Sequence, residues 1–147
     1  MVMRLTPGRS NLTNIYYIDA NICIFYMRGR NIELRKKMDS IERRLIKIPA
    51  IVKAELLVGA VKSAKPEQNI EEVEAFCRPF EIVQFDDSMV MTYAKMRVAL
   101  ELHGQKIGWN DTIIAATALA RNGVLITNNV KEFCRIDGLM YEDWTIS

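Results

Sequence analysis

The clearest hydrophobic pattern in the chain is a run without alternation, Ile15-Tyr16-Tyr17-Ile18, followed at once by Asp19-Ala20-Asn21. Four apolar or aromatic residues in succession predict a strand covered on both faces, as in a parallel sheet. Asp19 then falls at the strand's carboxyl end, where open α/β sheets bind their ligands. Val124-Leu125-Ile126-Thr127 repeats the pattern, and Ile46-Lys47-Ile48, Glu81 to Phe85 and Leu139 to Glu142 predict three more short strands.

Between these runs the apolar period lengthens. Asn21 to Met27 predicts a short helix stopped by Gly29, and Leu34, Met38, Ile41 and Leu45, spaced 4, 3 and 4, predict an amphipathic helix from Ile32 to Leu45. Pro49 and Pro66 each open a helix, to about Ser63 and Cys77, because a missing N–H costs nothing in a first turn. Asp87 or Ser88 caps a long helix through Leu102; Asn110 or Asp111 caps another, Thr112 to Arg121, which Asn122-Gly123 ends. A single turn surrounds Lys131 to Phe133. Strands alternate with helices throughout, which predicts one α/β domain over residues 15–147, with a mostly parallel sheet of about five short strands flanked by helices. Residues 1–14 are polar and rich in breakers, and are expected to form a flexible arm.

Composition narrows the chemistry. At 147 residues the chain can bury roughly 70% of its unfolded surface, enough for a core without staples. No apolar run approaches the ~20 residues of a membrane span, and the first residues lack a signal-peptide core, so a cytoplasmic protein is expected. Cys23, Cys77 and Cys134 are odd in number and far apart, which reads as free thiols and not as a disulfide framework or metal knuckle. His103 is the sole histidine, which argues against a histidine triad or a multi-histidine zinc site. The net charge of +2 hides a basic segment: between Arg28 and Lys47 eight bases face three acids. Arg35, Lys36, Arg43 and Arg44 in it are candidate RNA contacts, although a merely solvated helix face explains the charge equally well.

Four acids stand where packing alone would not put them. Asp19 follows a buried strand, Glu55 interrupts an otherwise apolar helix, Asp111 opens another, and Glu132 lies five residues beyond Thr127. Individually, Asp19 and Asp111 have a plain reading as helix caps, and Glu55 and Glu132 as surface charge. Jointly they deliver four carboxylates to one edge of the sheet. Acids crowded in a crevice raise one another's pKa values unless a cation neutralises them. An all-oxygen set suits Mg²⁺ or Mn²⁺, and the chemistry such a site supports is water attack on a phosphodiester. Asn21, Thr127, Asn128 and Asn129 are candidates to orient water or phosphate, with turn formation as the alternative for each.

The stretches Tyr17-Ile18-Asp19-Ala20-Asn21-Ile22-Cys23-Ile24, Lys53-Ala54-Glu55-Leu56-Leu57-Val58-Gly59-Ala60, Ile107-Gly108-Trp109-Asn110-Asp111-Thr112-Ile113-Ile114-Ala115-Ala116 and Leu125-Ile126-Thr127-Asn128-Asn129-Val130-Lys131-Glu132-Phe133 resemble the PIN-domain ribonucleases, most closely the VapC toxins of bacterial toxin–antitoxin pairs. The resemblance runs from about Ile15 to Trp144. It implies a PIN-like nuclease domain, a metal-dependent endoribonuclease, and Asp19, Glu55, Asp111 and Glu132 as catalytic acids and metal ligands. It further implies a transfer RNA substrate, with the initiator anticodon region a candidate, a homodimer, and a cognate antitoxin whose basic segment plugs the acidic groove. Ala20 stands where the family usually has Thr, Trp109 where Pro is usual, and Asn128 or Asn129 where the wider family has a strand-end Asp.

Two other classes compete with the nuclease. A catalytically inactive PIN-like module would bind RNA or protein without cutting, but such copies usually lose some of the acids. An α/β phosphotransfer domain would need an isolated Asp at a middle strand end and a Lys after a later one.

Overall fold

The buried runs become the middle of a six-stranded sheet. The computed structural model describes residues 2–4, for their backbone, and 14–146. The elements are β1 (Val2–Arg4), β2 (Tyr16–Ile18), α1 (Ala20–Arg28), α2 (Ile32–Ser40), a 3₁₀ turn (Arg43–Leu45), β3 (Ile46–Pro49), α3 (Ala50–Lys62), α4 (Pro66–Cys77), β4 (Glu81–Val83), α5 (Asp87–Leu102), α6 (Trp109–Ala120), β5 (Val124–Ile126), α7 (Val130–Phe133) and β6 (Met140–Glu142). The strand order is β1-β6-β5-β2-β3-β4, with β6, β5, β2, β3 and β4 parallel. β2 pairs residue for residue with β5, Tyr16 with Val124 through Ile18 with Ile126. From β2 the chain moves outward through β3 and β4, then returns to the other side of β2 with β5 and β6. The switch point is therefore between β2 and β5, where a crevice opens at the carboxyl ends of the strands.

Ile18, Ile48, Leu125 and Ile126 are fully buried, as strands covered on both faces require. α3 packs on α1, α4 and α6, and α5 packs on α6. The Asp86–Arg121 ion pair (3.1 Å) ties the start of α5 to the end of α6, so these two helices run antiparallel. Cys23 and Cys77 are buried free thiols and Cys134 is an exposed one; His103 forms the exposed C-cap of α5. Among the described residues no helix is long and apolar enough to cross a membrane.

Several expectations are corrected. Val2–Arg4, expected within a loose arm, form a strand antiparallel to β6; residues 1 and 5–13 of that arm lie outside the described residues. The helix expected to run to Leu45 ends at Ser40. The Ser40 hydroxyl donates to the carbonyl of Lys37, and Ile41 turns to extended backbone, so Leu45 belongs to a separate turn. Asn122, not Gly123, takes the left-handed backbone after α6. Gly123 is required for a different reason: a Cβ there would run into the ring of Tyr17 on the neighbouring strand.

Candidate functional site

Asp19 leaves the end of β2 held on three sides. Its backbone N–H donates to the carbonyl of Ile126 (3.1 Å), its Oδ1 accepts from the N–H of Ile22 (3.0 Å) as the N-cap of α1, and Thr127 hydrogen-bonds its carboxylate. The cap reading of Asp19 is thus correct, and it coexists with the site. The carboxyl is 5% exposed, and burial pushes its pKa up to about 6 against the opposing pull of these hydrogen bonds; the charges of Asp111 and Glu55 push the same way.

Asp111 is not a cap. Gly108 holds that position, and Asp111 projects from the first turn of α6, half-buried. Its pKa is raised by burial, then by the charge of Glu132 and a side-chain hydrogen bond to it. Glu132, on α7, is steadied by Asn129, whose Nδ2 donates to Oε2 (3.0 Å). Glu55, in the second turn of α3, has its pKa raised by burial and by Asp111. Its Oε1 is buried without a hydrogen-bond partner. Asp111 therefore acts electrostatically on all three other acids, and the four predicted carboxylates do meet at one edge.

The supporting residues divide. Thr127, fully buried, links Asp19 to the next loop by also accepting from the N–H of Asn129 (2.9 Å). Asn129 serves Glu132, Asn128 is half-buried at the rim, and Asn21 is exposed on α1. The basic quartet is elsewhere. Arg35 lies over Tyr26 in the last turn of α1 (5.5 Å), about 10 Å of helix away from Asp19. Arg43 and Arg44 are in the turn that enters β3 at its amino end, with Arg43 over Phe80 (6.0 Å) and Arg44 paired to Glu42 (2.7 Å); Lys36 is exposed on α2. These bases sit toward the opposite edge of the sheet from the acids.

The donor set and the unpartnered Glu55 Oε1 fit a hard divalent cation, since an unsatisfied buried carboxylate oxygen is costly unless a cation, proton or water meets it. Among the described residues no three His, Cys, Asp or Glu side chains are already arranged around one ion. One feature was invisible to hydrophobic patterning: Arg97 of α5 lies over the ring of Trp109, 5.1 Å from its centroid. The i,i+4 spacings of Tyr93, Arg97 and Glu101 were the available signal.

The PIN domain family matches residues 16–139. Ribonuclease VapC2 of Rickettsia felis is 40% identical over 136 residues, covering 88% of this chain and 98% of that protein. The tRNA(fMet)-specific endonuclease VapC of Salmonella typhimurium is 34% identical over 129 residues, covering 88% and 97%. The crystal structure of VapBC2 from Rickettsia felis bound to a DNA fragment from their promoter superposes with a TM-score of 0.83 at 37% identity, covering 88% of this chain and 98% of that one.

Proposed function

Since the chain belongs to the PIN-domain family, among the VapC ribonucleases, we propose that it is the toxin of a toxin–antitoxin pair, a Mg²⁺- or Mn²⁺-dependent endoribonuclease that cuts transfer RNA. The observation that carries the reading is the meeting of Asp19, Glu55, Asp111 and Glu132 at the β2/β5 switch point, coupled through Asp111 and with one oxygen unpartnered. Structural ion clusters pair opposite charges; this one gathers like charges, which is a functional-site signature.

Asp19 and Asp111 would hold the ion first, with Glu55 and Glu132 completing the set directly or through water. When bound, the ion would activate water and neutralise charge on the phosphodiester oxygens. Thr127 and the Ile22 N–H keep the Asp19 carboxylate in one orientation, leaving its remaining lone pairs to the crevice. Asn129 holds the Glu132 carboxylate in place. Initiator transfer RNA, cut in its anticodon region, is the substrate we favour, from the name of the Salmonella relative. Arg35, Lys36, Arg43 and Arg44 would meet the body of so large an RNA at a distance from the cut. A cognate antitoxin belongs to the same reading, supported by the solved VapBC2 assembly of Rickettsia felis, and a homodimer is part of the proposal on the family resemblance alone.

Purified protein, freed of partner, is incubated with bulk transfer RNA in Mg²⁺, Mn²⁺ or EDTA, with Asp111→Asn alongside. Discrete fragments that need metal and vanish in the variant are expected, and end-mapping names the bond. Absence of both cleavage and metal binding would leave the inactive binding module.

A further inference from the structure

Trp109 is 71% exposed, a costly position for an indole, yet it is not a loose surface side chain. It opens α6, two residues before Asp111. The guanidinium of Arg97 covers one face of its ring at 5.1 Å, and Arg97 is in turn held by Glu101 Oε2 (3.1 Å) and the Tyr93 hydroxyl (3.3 Å). A cleft of about 180 Å³ between Arg97, Lys106, Ile107 and Trp109 separates this cluster from the α5–α6 loop. The Arg97 guanidinium occupies one face of the ring, so the ring's use lies on its uncovered face. There it offers a flat, pre-oriented aromatic surface at the same sheet edge as the acids.

Building on the nuclease reading, we propose that Trp109, braced by Arg97, is a stacking platform for one unpaired nucleobase flanking the scissile phosphodiester. Residues two apart on a helix point to different sides, so a base on Trp109 cannot lie over Asp111 and must belong to a neighbouring nucleotide. Glu101 disfavours a phosphate beside Arg97, and a neutral base has no such conflict. Stacking needs a π-face and no particular hydrogen-bond edge, so the platform selects an unpaired base more than its identity. Double-stranded RNA, whose bases are already stacked, is excluded from this position.

The chain has two tryptophans, and Trp144 is 2% exposed against Tyr16, so RNA-induced quenching reports on Trp109. The probe is a single-stranded oligoribonucleotide, in EDTA to prevent cleavage, and a series carrying one abasic position in turn. We expect quenching in the wild type and an affinity loss of about 5- to 150-fold in Trp109→Leu, with Trp109→Phe in between. One abasic position should reproduce the loss in the wild type and add nothing in Trp109→Leu. In metal, Trp109→Leu should raise KM with kcat largely retained. Unquenched emission with equal affinity in Trp109→Leu, while cleavage persists, would overturn the platform and leave the nuclease standing. Quenching and the abasic effect without cleavage by any form would support the platform and remove the nuclease.

Discussion

Asp19 and Asp86 hold the same local position. Each follows a parallel strand, each caps a helix, and each accepts a backbone N–H at 3.0 Å. Their ionisation diverges. Asp86 is exposed, bonded by the Ser88 hydroxyl and N–H and paired with Arg121, and its pKa is lowered. Asp19 is buried and feels the charges of Asp111 and Glu55, and its pKa is raised. The same contrast separates the two edges of the sheet. Toward the amino edge, charges find opposite partners, as in Arg44 with Glu42 and Lys47 with Glu81; around the carboxyl ends of β2 and β5, acids face acids. A cap alone is structural, and a cap that is also forced against like charge marks a candidate site.

The contrast breaks most sharply at Asp111. Asp111→Asn should lower cleavage by roughly 10²- to 10⁴-fold, while Asp86→Asn leaves it unchanged; rates on one transfer RNA compare them. In the same variant the Asp19 pKa should fall, read by carboxyl NMR titration, because the larger of its two raising charges is gone.

Asp19→Asn should stabilise the metal-free protein. The folded pKa of about 6 lies above the ordinary 3.8, so the native state holds the proton more tightly than the unfolded state. Stability therefore falls as pH rises from about 4 to 6, by at most about 3 kcal/mol, and stays low above that. Denaturant titrations across pH 4–7 should show this slope in the wild type and a flatter one in Asp19→Asn, whose amide oxygen still caps α1. A variant that unfolds would instead make Asp19 structural.

Cation binding should expel about half a proton at pH 6, from Asp19, whose pKa is about 6. Calorimetry in buffers of different ionisation enthalpy measures it, and no release would mean that the acids are already ionised. Neutralising Arg43 and Arg44 together should weaken RNA binding and reduce the salt slope by about 1.4; an unchanged slope would remove that edge from the RNA surface. The smallest effect is expected at Asp86. Asp86→Ala should destabilise slightly above pH 4, and the difference should vanish as pH falls, because a lowered pKa stabilises only the ionised form.

Much of this molecule is local and therefore legible. Unbroken apolar runs such as Tyr16–Ile18 and Val124–Ile126 specify two-sided burial, and helix starts at Pro66 and stops at Gly29 follow from backbone chemistry of single residues. The four acids were legible too, because each interrupts or terminates an apolar stretch. Which partner each acid meets was not, since a carboxylate's pKa depends on neighbours brought in from other elements. So Asp111 emerged as a first-turn acid coupled to three others, not as a cap, only when α6, α3, β2 and α7 converged. The basic segment around Arg43 was countable from residues alone, but a charge count carries no direction. Parallel strands send every carboxyl end to one edge, and a turn that precedes β3 must lie at the other; that topology, set by long-range strand pairing, separated the bases from the acids.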